Sequence, residues 1–211
     1  MTEAILDAAR AVMREQGVAA LNLHEVARRV RIRPPSLYEY FPNRAAIYDT
    51  LFRLGLRQFA SHRDRALAGK TTFTERLHAA IESYMSFAQE YPVLWSLLFE
   101  RPVPGFVPSE QSMDESRAVL EAATSSFHDA IATGEIAPDV PPSQARDFVF
   151  AVMHGLAASH LANEPELPVG SGRLGSLVPV AVAVLEAAWR PHGHDPHDRH
   201  SEETEHRREQ P

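Results

Sequence analysis

Residues 22 to 44, NLHEVARRVRIRPPSLYEYFPNR, are the stretch that decides the fold predicted for this chain. Asn22 is a good helix N-cap, and Glu25 three positions later completes the pattern of a capping box. Val26 and Ala27 then occupy the inward face of a short amphipathic helix. The stretch is therefore expected to hold two short helices joined by a tight turn, with an aromatic cluster behind them.

The second of these helices begins in an unusual way, with two consecutive prolines. Pro34 and Pro35 have φ fixed near the helical value and carry no N–H, so two of the four unpaired donors at a helix start are absent. This compensates in part for the lack of a Ser, Thr, Asp or Asn cap before them. Pro42 and Asn43 end the helix, and Arg44 begins a much longer one.

Helical periodicity continues on both sides of this stretch, and no segment alternates like a β-strand. Residues 2 to 16 place apolar side chains at amphipathic spacing, and Gly17 stands where a C-cap belongs. The chain is therefore predicted to be all-α, with about nine helices. Beyond the long helix at Arg44, the predicted helices cover about residues 73 to 91, 93 to 100, 112 to 133, 143 to 162 and 173 to 189.

The composition limits the kind of protein this can be. Hydrophobic residues make up 44% of the 211, enough for a sizeable core, and the absence of cysteine excludes a disulfide framework and a thiolate metal site. Charged residues interrupt the apolar ones from the N-terminus onward, so we predict no signal peptide and a cytoplasmic location. The apolar run over residues 176 to 189 is shorter than the roughly 20 residues of a membrane helix, so no membrane partner is expected.

Charge is distributed unevenly along the chain. The net charge is -7, yet residues 1 to 48 hold seven arginines against five acidic residues, a local charge of +2. A basic N-terminal segment on an acidic chain is compatible with a nucleic-acid partner. The predicted domains are a helix-turn-helix unit over residues 1 to 48, a second helical domain over 49 to 190, and a disordered, charged, His-rich tail over 191 to 211.

The N-terminal residues resemble the DNA-binding domain of the TetR/AcrR family of one-component transcriptional regulators. That family has a first helix ending in Gly, an aliphatic residue followed by Ala on the second helix, then Leu-Tyr, His-Phe and a basic residue. The matching positions here are Gly17, Val26-Ala27, Leu37-Tyr38, Tyr40-Phe41 and Arg44. A further segment over residues 87 to 106, together with Met153-His154-Gly155, looks like the ligand-sensing domain of an actinobacterial-type subgroup whose effectors are largely unassigned.

Two positions depart from the family pattern. Arg31 stands at the turn position usually held by Gly, where a residue with a Cβ meets an unfavourable backbone conformation. Tyr40 replaces the usual His before Phe41, which alters one polar contact made in the family. Neither departure changes the pattern of core and turn positions.

The resemblance implies that the helix from Pro34 to Phe41 enters the major groove of double-stranded DNA. Arg33 can bind guanine, Ser36 can donate to or accept from a base edge, and Glu39 can accept from cytosine. The prolines offer apolar contact only. The two tyrosines and Arg44 are assigned to phosphates, with Tyr40 also able to reach a base edge; the alternative for the tyrosines is packing in the core. The complete set of predicted DNA contacts is Arg33, Pro34, Pro35, Ser36, Tyr38, Glu39, Tyr40 and Arg44.

Aromatic and methionine side chains of the central helices have two interpretations. They can form a solid core, or they can enclose an apolar pocket in which a few polar groups orient a small-molecule effector. The residues predicted to bind such an effector are Tyr84, Trp95, Phe99, Phe106, His128, Phe150, Met153 and His154. The proline-rich loop over residues 100 to 110 is then expected near the pocket mouth.

Together these features predict a ligand-responsive DNA-binding regulator, with repression from a palindromic operator as the expected mode. Homodimerisation is expected through the last two helices, 143 to 162 and 173 to 189, because the final one is apolar nearly all round. No cofactor, metal or enzymatic activity is predicted; the glycines at 170, 172 and 175 fit a dinucleotide-binding spacing but follow no strand. The alternative is a small-molecule-binding helical protein or an enzyme that has no operator.

Overall fold

A computed structural model describes residues 1–191, and every regular element in that range is helical. The α-helices of that range are α1 (Thr2–Gln16), α2 (Leu23–Arg29), α3 (Pro34–Tyr40), α4 (Arg44–Leu67), α5 (Phe73–Glu90), α6 (Pro92–Phe99), α7 (Glu110–Ala132), α8 (Pro142–Asn163), α9 (Gly172–Gly175) and α10 (Val178–Trp189). A short 3-10 turn, Val18–Ala20, links α1 to α2. The all-α prediction is confirmed. Apart from Pro191, the predicted tail lies outside the described residues.

The nine predicted helices all occur, but the last one is interrupted and forms α9 and α10. Pro179 lies in the first turn of α10, because a proline deeper in a helix would remove the hydrogen bond to the carbonyl four residues back. The stretch Gly172–Trp189 is apolar enough by composition to cross a membrane, with a mean hydropathy of 1.3. The interruption leaves α10 only 12 residues long, well short of the roughly 20 that a membrane span requires.

The first three helices pack together against the start of α4. Val26 and Ala27 on α2 and Leu37 on α3 are all fully buried, as the amphipathic pattern predicted. Tyr48, one turn into α4, is also buried, and its hydroxyl donates to the carbonyl of Val18 at 2.7 Å. The connection between α1 and α2 is thereby fixed to the long helix that follows.

The long helix α4 belongs to both predicted domains. It contacts α1 near its start and α5, α6 and α7 farther along, so the boundary predicted at residue 48 falls inside a continuous helix. A single hydrophobic core extends from Ile5 to Leu185. A rotation of α4 would therefore move the N-terminal helices relative to α5 to α8.

Within residues 1–191, one apolar surface is left uncovered, on the outward faces of α8 and α10. Val180 and Val184 on α10 are 55% and 61% exposed, and Phe148 on α8 is 57% exposed. Only 22% of the stretch Gly172–Trp189 is buried. Exposed apolar side chains recurring one helical turn apart are typical of a helix that packs against a partner.

Candidate nucleic-acid interface and internal cavity

Helix α2 begins at the N-cap predicted from the sequence. The Asn22 side chain accepts from the backbone N–H groups of His24 at 2.9 Å and Glu25 at 3.3 Å. The reciprocal half of the predicted capping box does not form, because the Glu25 carboxylate binds the guanidinium groups of Arg28 and Arg29 instead. Hydrogen bonds from these two arginines lower the pKa of Glu25 to about 2.

The arginines of α2 are committed to ion pairs within the domain. Arg29 donates to both carboxylate oxygens of Glu15 on α1, at 2.8 and 2.6 Å, and also to Glu25 at 2.7 Å. Arg28 is paired with Glu25 at 2.7 Å. These pairs fix α2 against α1 and neutralise much of the positive charge on α2.

The turn between α2 and α3 is built on Arg31, whose φ is 58°. The N–H of Ile32 donates to the Ala27 carbonyl at 3.0 Å, and the N–H of Arg31 donates to the Arg28 carbonyl at 3.2 Å. This is a Schellman motif with Arg31 in the left-handed position that glycine prefers. Arg31 is therefore strained by roughly 1 kcal/mol relative to glycine at this position.

Helix α3 presents one side to the core and the other to solvent. Arg33 is its N-cap without a side-chain cap bond, and the two prolines form its first turn, as predicted. Leu37 is 0% exposed and Phe41 5%, whereas Tyr38 and Tyr40 are 47% and 46% exposed. The alternative in which the two tyrosines pack in the core is therefore wrong.

Three arginines flank α3 in the chain. Arg31, Arg33 and Arg44 are exposed, and none of them forms an ion pair with another described residue. The Arg44 guanidinium lies 6.0 Å from the ring centroid of Tyr48, at the start of α4. All eight residues predicted to contact DNA are at least partly exposed. Their surface is accessible to a polyanion, and their individual contacts with DNA remain predictions.

A cavity of about 470 Å³ lies between α4, α5, α7 and α8. Its wall is mostly apolar, and Phe99, Phe150 and Met153 from the predicted effector-binding set line it. Further apolar lining residues that were not in the predicted set include Leu56, Phe59, Phe73, Leu77, Val119 and Phe127. The central aromatic residues thus form neither a solid core nor an isolated pocket, but a cavity wall backed by a packed cluster.

Three of the predicted effector-binding residues form the packed cluster behind this wall. The His154 ring stacks on Trp95, with centroids 5.2 Å apart, and on Phe150 at 5.8 Å. Its Nδ1 lies 2.9 Å from the hydroxyl of Tyr84, which is fully buried. Burial raises the pKa of Tyr84 above its usual value, so the phenol stays protonated. Tyr84, Trp95 and His154 support Phe150 and do not line the cavity.

Two other predicted residues lie away from the cavity. Phe106 packs on the Tyr48 ring at 5.5 Å, so the loop over residues 100 to 110 covers the start of α4 and not the cavity mouth. His128 is exposed on α7, with its Nδ1 3.2 Å from the Thr124 carbonyl. The reason is helical phase: Phe127 points inward, and the next residue is rotated by about 100° around the helix.

The cavity wall also carries charged residues that sequence reasoning missed. Arg63 on α4, Arg76 on α5 and Arg146 on α8 all line it, together with the carboxylate of Asp64. In the sequence each arginine occupies a charged position of an amphipathic helix, which ordinarily indicates solvent exposure. No pattern in the sequence brings the three together, since they come from three different helices.

A series of polar contacts joins α4 to the start of α7. Asp49 accepts from the Ser109 N–H and the Ser112 hydroxyl, each at 2.7 Å, and from the Ser109 hydroxyl at 2.9 Å. One and two turns farther along α4, Arg53 donates to Gln111 at 2.8 Å and Arg57 donates to Glu115 at 2.8 Å. Ser116, the next residue of α7, lines the cavity. The contacts link one wall of the cavity to the first turns of α4.

Comparison with known families matches two separate parts of the chain. Residues 5–51 match the model described as bacterial regulatory proteins, tetR family. Residues 77–174 match the model described as tetracyclin repressor-like, C-terminal domain. The two matched ranges contain the exposed face of α3 and most of the cavity wall.

Several similar proteins are described as transcriptional regulators. The chain is 23% identical over 138 residues to the uncharacterized regulator YhgD of Bacillus subtilis, covering 65% of this chain and 72% of YhgD. It is 27% identical over 127 residues to the transcriptional activator FasR of Mycolicibacterium smegmatis, covering 60% of this chain and just 57% of FasR. The crystal structure of FadR from Bacillus subtilis in complex with stearoyl-CoA shares the fold, with a TM-score of 0.70 and 19% identity. The alignment covers 89% of this chain and 98% of FadR.

Proposed function

This chain belongs to the TetR family of transcriptional regulators, and from that premise we propose that it is a cytoplasmic, homodimeric repressor whose DNA binding responds to a small molecule in the internal cavity. DNA binding and ligand binding are properties of the family. The palindromic operator, the dimer and the repressive mode belong to the proposal.

The observation that carries the proposal is that one helix reaches both sites. The first turn of α4 holds Tyr48, which binds the α1–α2 connection, and its later turns supply Leu56, Phe59 and Arg63 to the cavity wall. An effector that binds the cavity more tightly in one orientation of α4 than in another shifts the population toward that orientation. A change in α4 then alters the position of α3 relative to DNA.

Dimerisation is supported by the uncovered apolar face of α8 and α10. A two-fold axis would pair this face with itself, as an isologous interface requires, and would cover the exposed side chains of Phe148, Val180 and Val184. In such a dimer, two copies of α3 contact half-sites about 34–36 Å apart, one turn of DNA. The operator would accordingly be a near-palindrome.

The experiment that tests this function is selection of bound duplexes from a random pool by the purified protein, followed by light scattering with and without DNA. We expect enrichment of a palindrome, bound by a dimer. Val184→Glu should give a monomer that loses operator binding, while Glu186→Gln on the same helix serves as a matched control that leaves the dimer intact. Failure to enrich any palindrome would contradict the proposal.

The direction of regulation needs a separate measurement, because a relative such as FasR is described as an activator. Transcription from a template carrying the selected operator should fall when the protein is added and recover when effector is supplied. An increase on addition of the protein would instead indicate activation. FadR was crystallised with stearoyl-CoA, so a long acyl thioester is a reasonable first effector to include.

A further inference from the structure

The cavity, which is partly open to solvent, combines an apolar wall with an excess of basic over acidic lining residues. Its lining residues include Arg63, Arg76 and Arg146, against the single acidic residue Asp64. We propose that the effector is an amphipathic anion, with a hydrocarbon body inside the cavity and a carboxylate or phosphate group bound by Arg76. The inference rests on the proposed function in taking this cavity as the effector site.

Two of the three arginines are already partly neutralised. Arg63 donates to Asp64 at 2.8 Å. Arg146 donates to Asp147 at 2.7 Å and to the Thr124 hydroxyl, also at 2.7 Å. Both contribute positive potential to the cavity, but each has a carboxylate of the protein within ion-pairing distance.

Arg76 differs from the other two. Its guanidinium donates to the Ser126 hydroxyl at 3.2 Å, and it forms no ion pair with any residue in the described part of the chain. The side chain is half-buried on α5, between the cavity-lining residues Phe73 and Leu77. A guanidinium held beside apolar rings loses hydration, and an anion that pairs with it in two parallel hydrogen bonds restores that loss.

The remainder of the wall specifies the body of the ligand. Phe73 and Phe127 contact each other at 5.4 Å, and Phe99 contacts Phe59 at 5.3 Å and Phe150 at 5.8 Å. Side chains of this kind offer few hydrogen bonds, so they favour hydrocarbon over a sugar or a peptide. The volume of about 470 Å³ lies within the range of small-molecule sites.

Charge discriminates between the possible ligand classes. A cationic ligand would meet the guanidinium of Arg76, which has no carboxylate partner in the described chain, while Arg63 and Arg146 are each balanced by one carboxylate, so the net positive charge disfavours it. A neutral hydrocarbon would fill the apolar part and displace water, but it would leave Arg76 with the Ser126 hydroxyl and no anionic partner. An amphipathic anion satisfies both parts of the wall.

The test uses the full chain and a matched series of probes: dodecanoate, dodecyl phosphate, dodecanol and dodecyltrimethylammonium, all below their micelle concentrations. Binding can be followed by tryptophan fluorescence, since the Trp189 ring lies 5.8 Å from Phe127 and 6.5 Å from Phe73, and it can be confirmed by calorimetry. We expect the anions to bind roughly tenfold or more tightly than the alcohol, and the cation more weakly still. The anion that binds more tightly identifies the preferred head group as carboxylate or phosphate.

Variants assign the preference to Arg76. Arg76→Gln should remove the preference for anions while leaving dodecanol binding unchanged, which also shows that the cavity is intact. Arg76→Lys, which keeps the charge, should retain part of the preference. Arg117→Gln is the control, because Arg117 is exposed on α7, pairs with Asp114 and does not line the cavity. Equal binding of dodecanoate and dodecanol by the unaltered protein would overturn the proposal, as would an anion preference that survives Arg76→Gln.

Operator binding is measured separately with the same probes. If anions bind through Arg76 but leave operator affinity unchanged, the proposed regulatory function is contradicted and the proposed ligand class is supported. If only an uncharged molecule releases the operator, the ligand class fails and the regulatory function stands.

Discussion

The α3 surface and the internal cavity are built in opposite ways. On α3 the exposed side chains come from consecutive residues, and their directions follow from one helix with a proline start and a buried Leu37. The cavity wall comes from α4, α5, α7 and α8 with Phe99 at the end of α6, and its arginines lie on three separate helices. Local sequence therefore dictates a surface, whereas a cavity depends on how helices pack. The comparison predicts that, on α3, substituting a buried residue lowers stability, whereas substituting its exposed neighbour weakens DNA binding.

The largest effect is expected from Leu37→Ala. Leu37 is fully buried, so truncation should lower the free energy of unfolding by about 2–5 kcal/mol, measured by urea denaturation. Tyr38→Ala changes the adjacent residue, which is 47% exposed, and should alter stability by no more than about 0.5 kcal/mol while weakening operator binding. Comparable destabilisation by both variants would break the distinction between the two faces of α3.

Two arginines beside α3 should differ in what they contribute to DNA binding. Arg33→Ala should lower operator affinity by about 1–3 kcal/mol with little change on a scrambled duplex, because a base contact carries sequence information. Arg44→Ala should weaken both duplexes and reduce the salt slope by about one, as expected for a phosphate contact. Fluorescence anisotropy at several salt concentrations measures both quantities. Uniform weakening by Arg33→Ala would reassign Arg33 to the phosphate backbone.

The contact that joins the two regions is tested by Asp49→Asn. Burial opposes ionisation of Asp49, but hydrogen bonds from the Ser109 N–H and from the Ser112 and Ser109 hydroxyls outweigh it and lower the pKa of this carboxyl. Replacing the charged acceptor should cost about 1.5 kcal/mol of unfolding free energy at neutral pH. Asp114→Asn, at an exposed ion pair on α7, is the control and should change little.

The difference in the free energy of unfolding between the unaltered protein and Asp49→Asn should depend on pH in a definite direction. Because the folded pKa of Asp49 is lowered, its stabilisation is complete above the unfolded pKa, about 3.9 for Asp, and is lost as pH falls through the folded value. The difference in the free energy of unfolding between the two proteins should thus shrink below a pH of about 4. A gap that stays constant down to acidic pH would mean that the charge of Asp49 is not what stabilises the α4–α7 contact.

The smallest effect is expected at the turn before α3. Arg31→Gly should raise the free energy of unfolding by about 0.5–1 kcal/mol relative to Arg31→Ala, since both remove the charge and only glycine relieves a φ of 58°. Thermal and urea denaturation of the two variants measure the difference. Equal stability would show that the turn imposes no strain on Arg31.

Much of the N-terminal region around α3 was predictable because its determinants are local. Asn22 as an N-cap, the proline start of α3 and the burial of Leu37 each depend on a few neighbouring residues. The reciprocal bond of Glu25 was predicted wrongly, because a competing pair of arginines takes its carboxylate, one of them also held by Glu15 on another helix. The break before α10 was missed although Pro179 signals it in the sequence.

The sequence by itself determined the helical character of the described residues, the helix-turn-helix and the burial of Leu37 and Phe41, because hydrophobic period, caps and prolines act within one or two helical turns. The outward direction of Tyr38 and Tyr40 came from the structure. Tertiary structure alone decided which aromatic side chains line the cavity, why Phe106 and His128 do not, and that Arg76 faces it without a carboxylate partner in the described chain. The physical reason is that a helix's own pattern specifies which side is buried, while the neighbour that covers that side is set by packing between elements far apart in sequence.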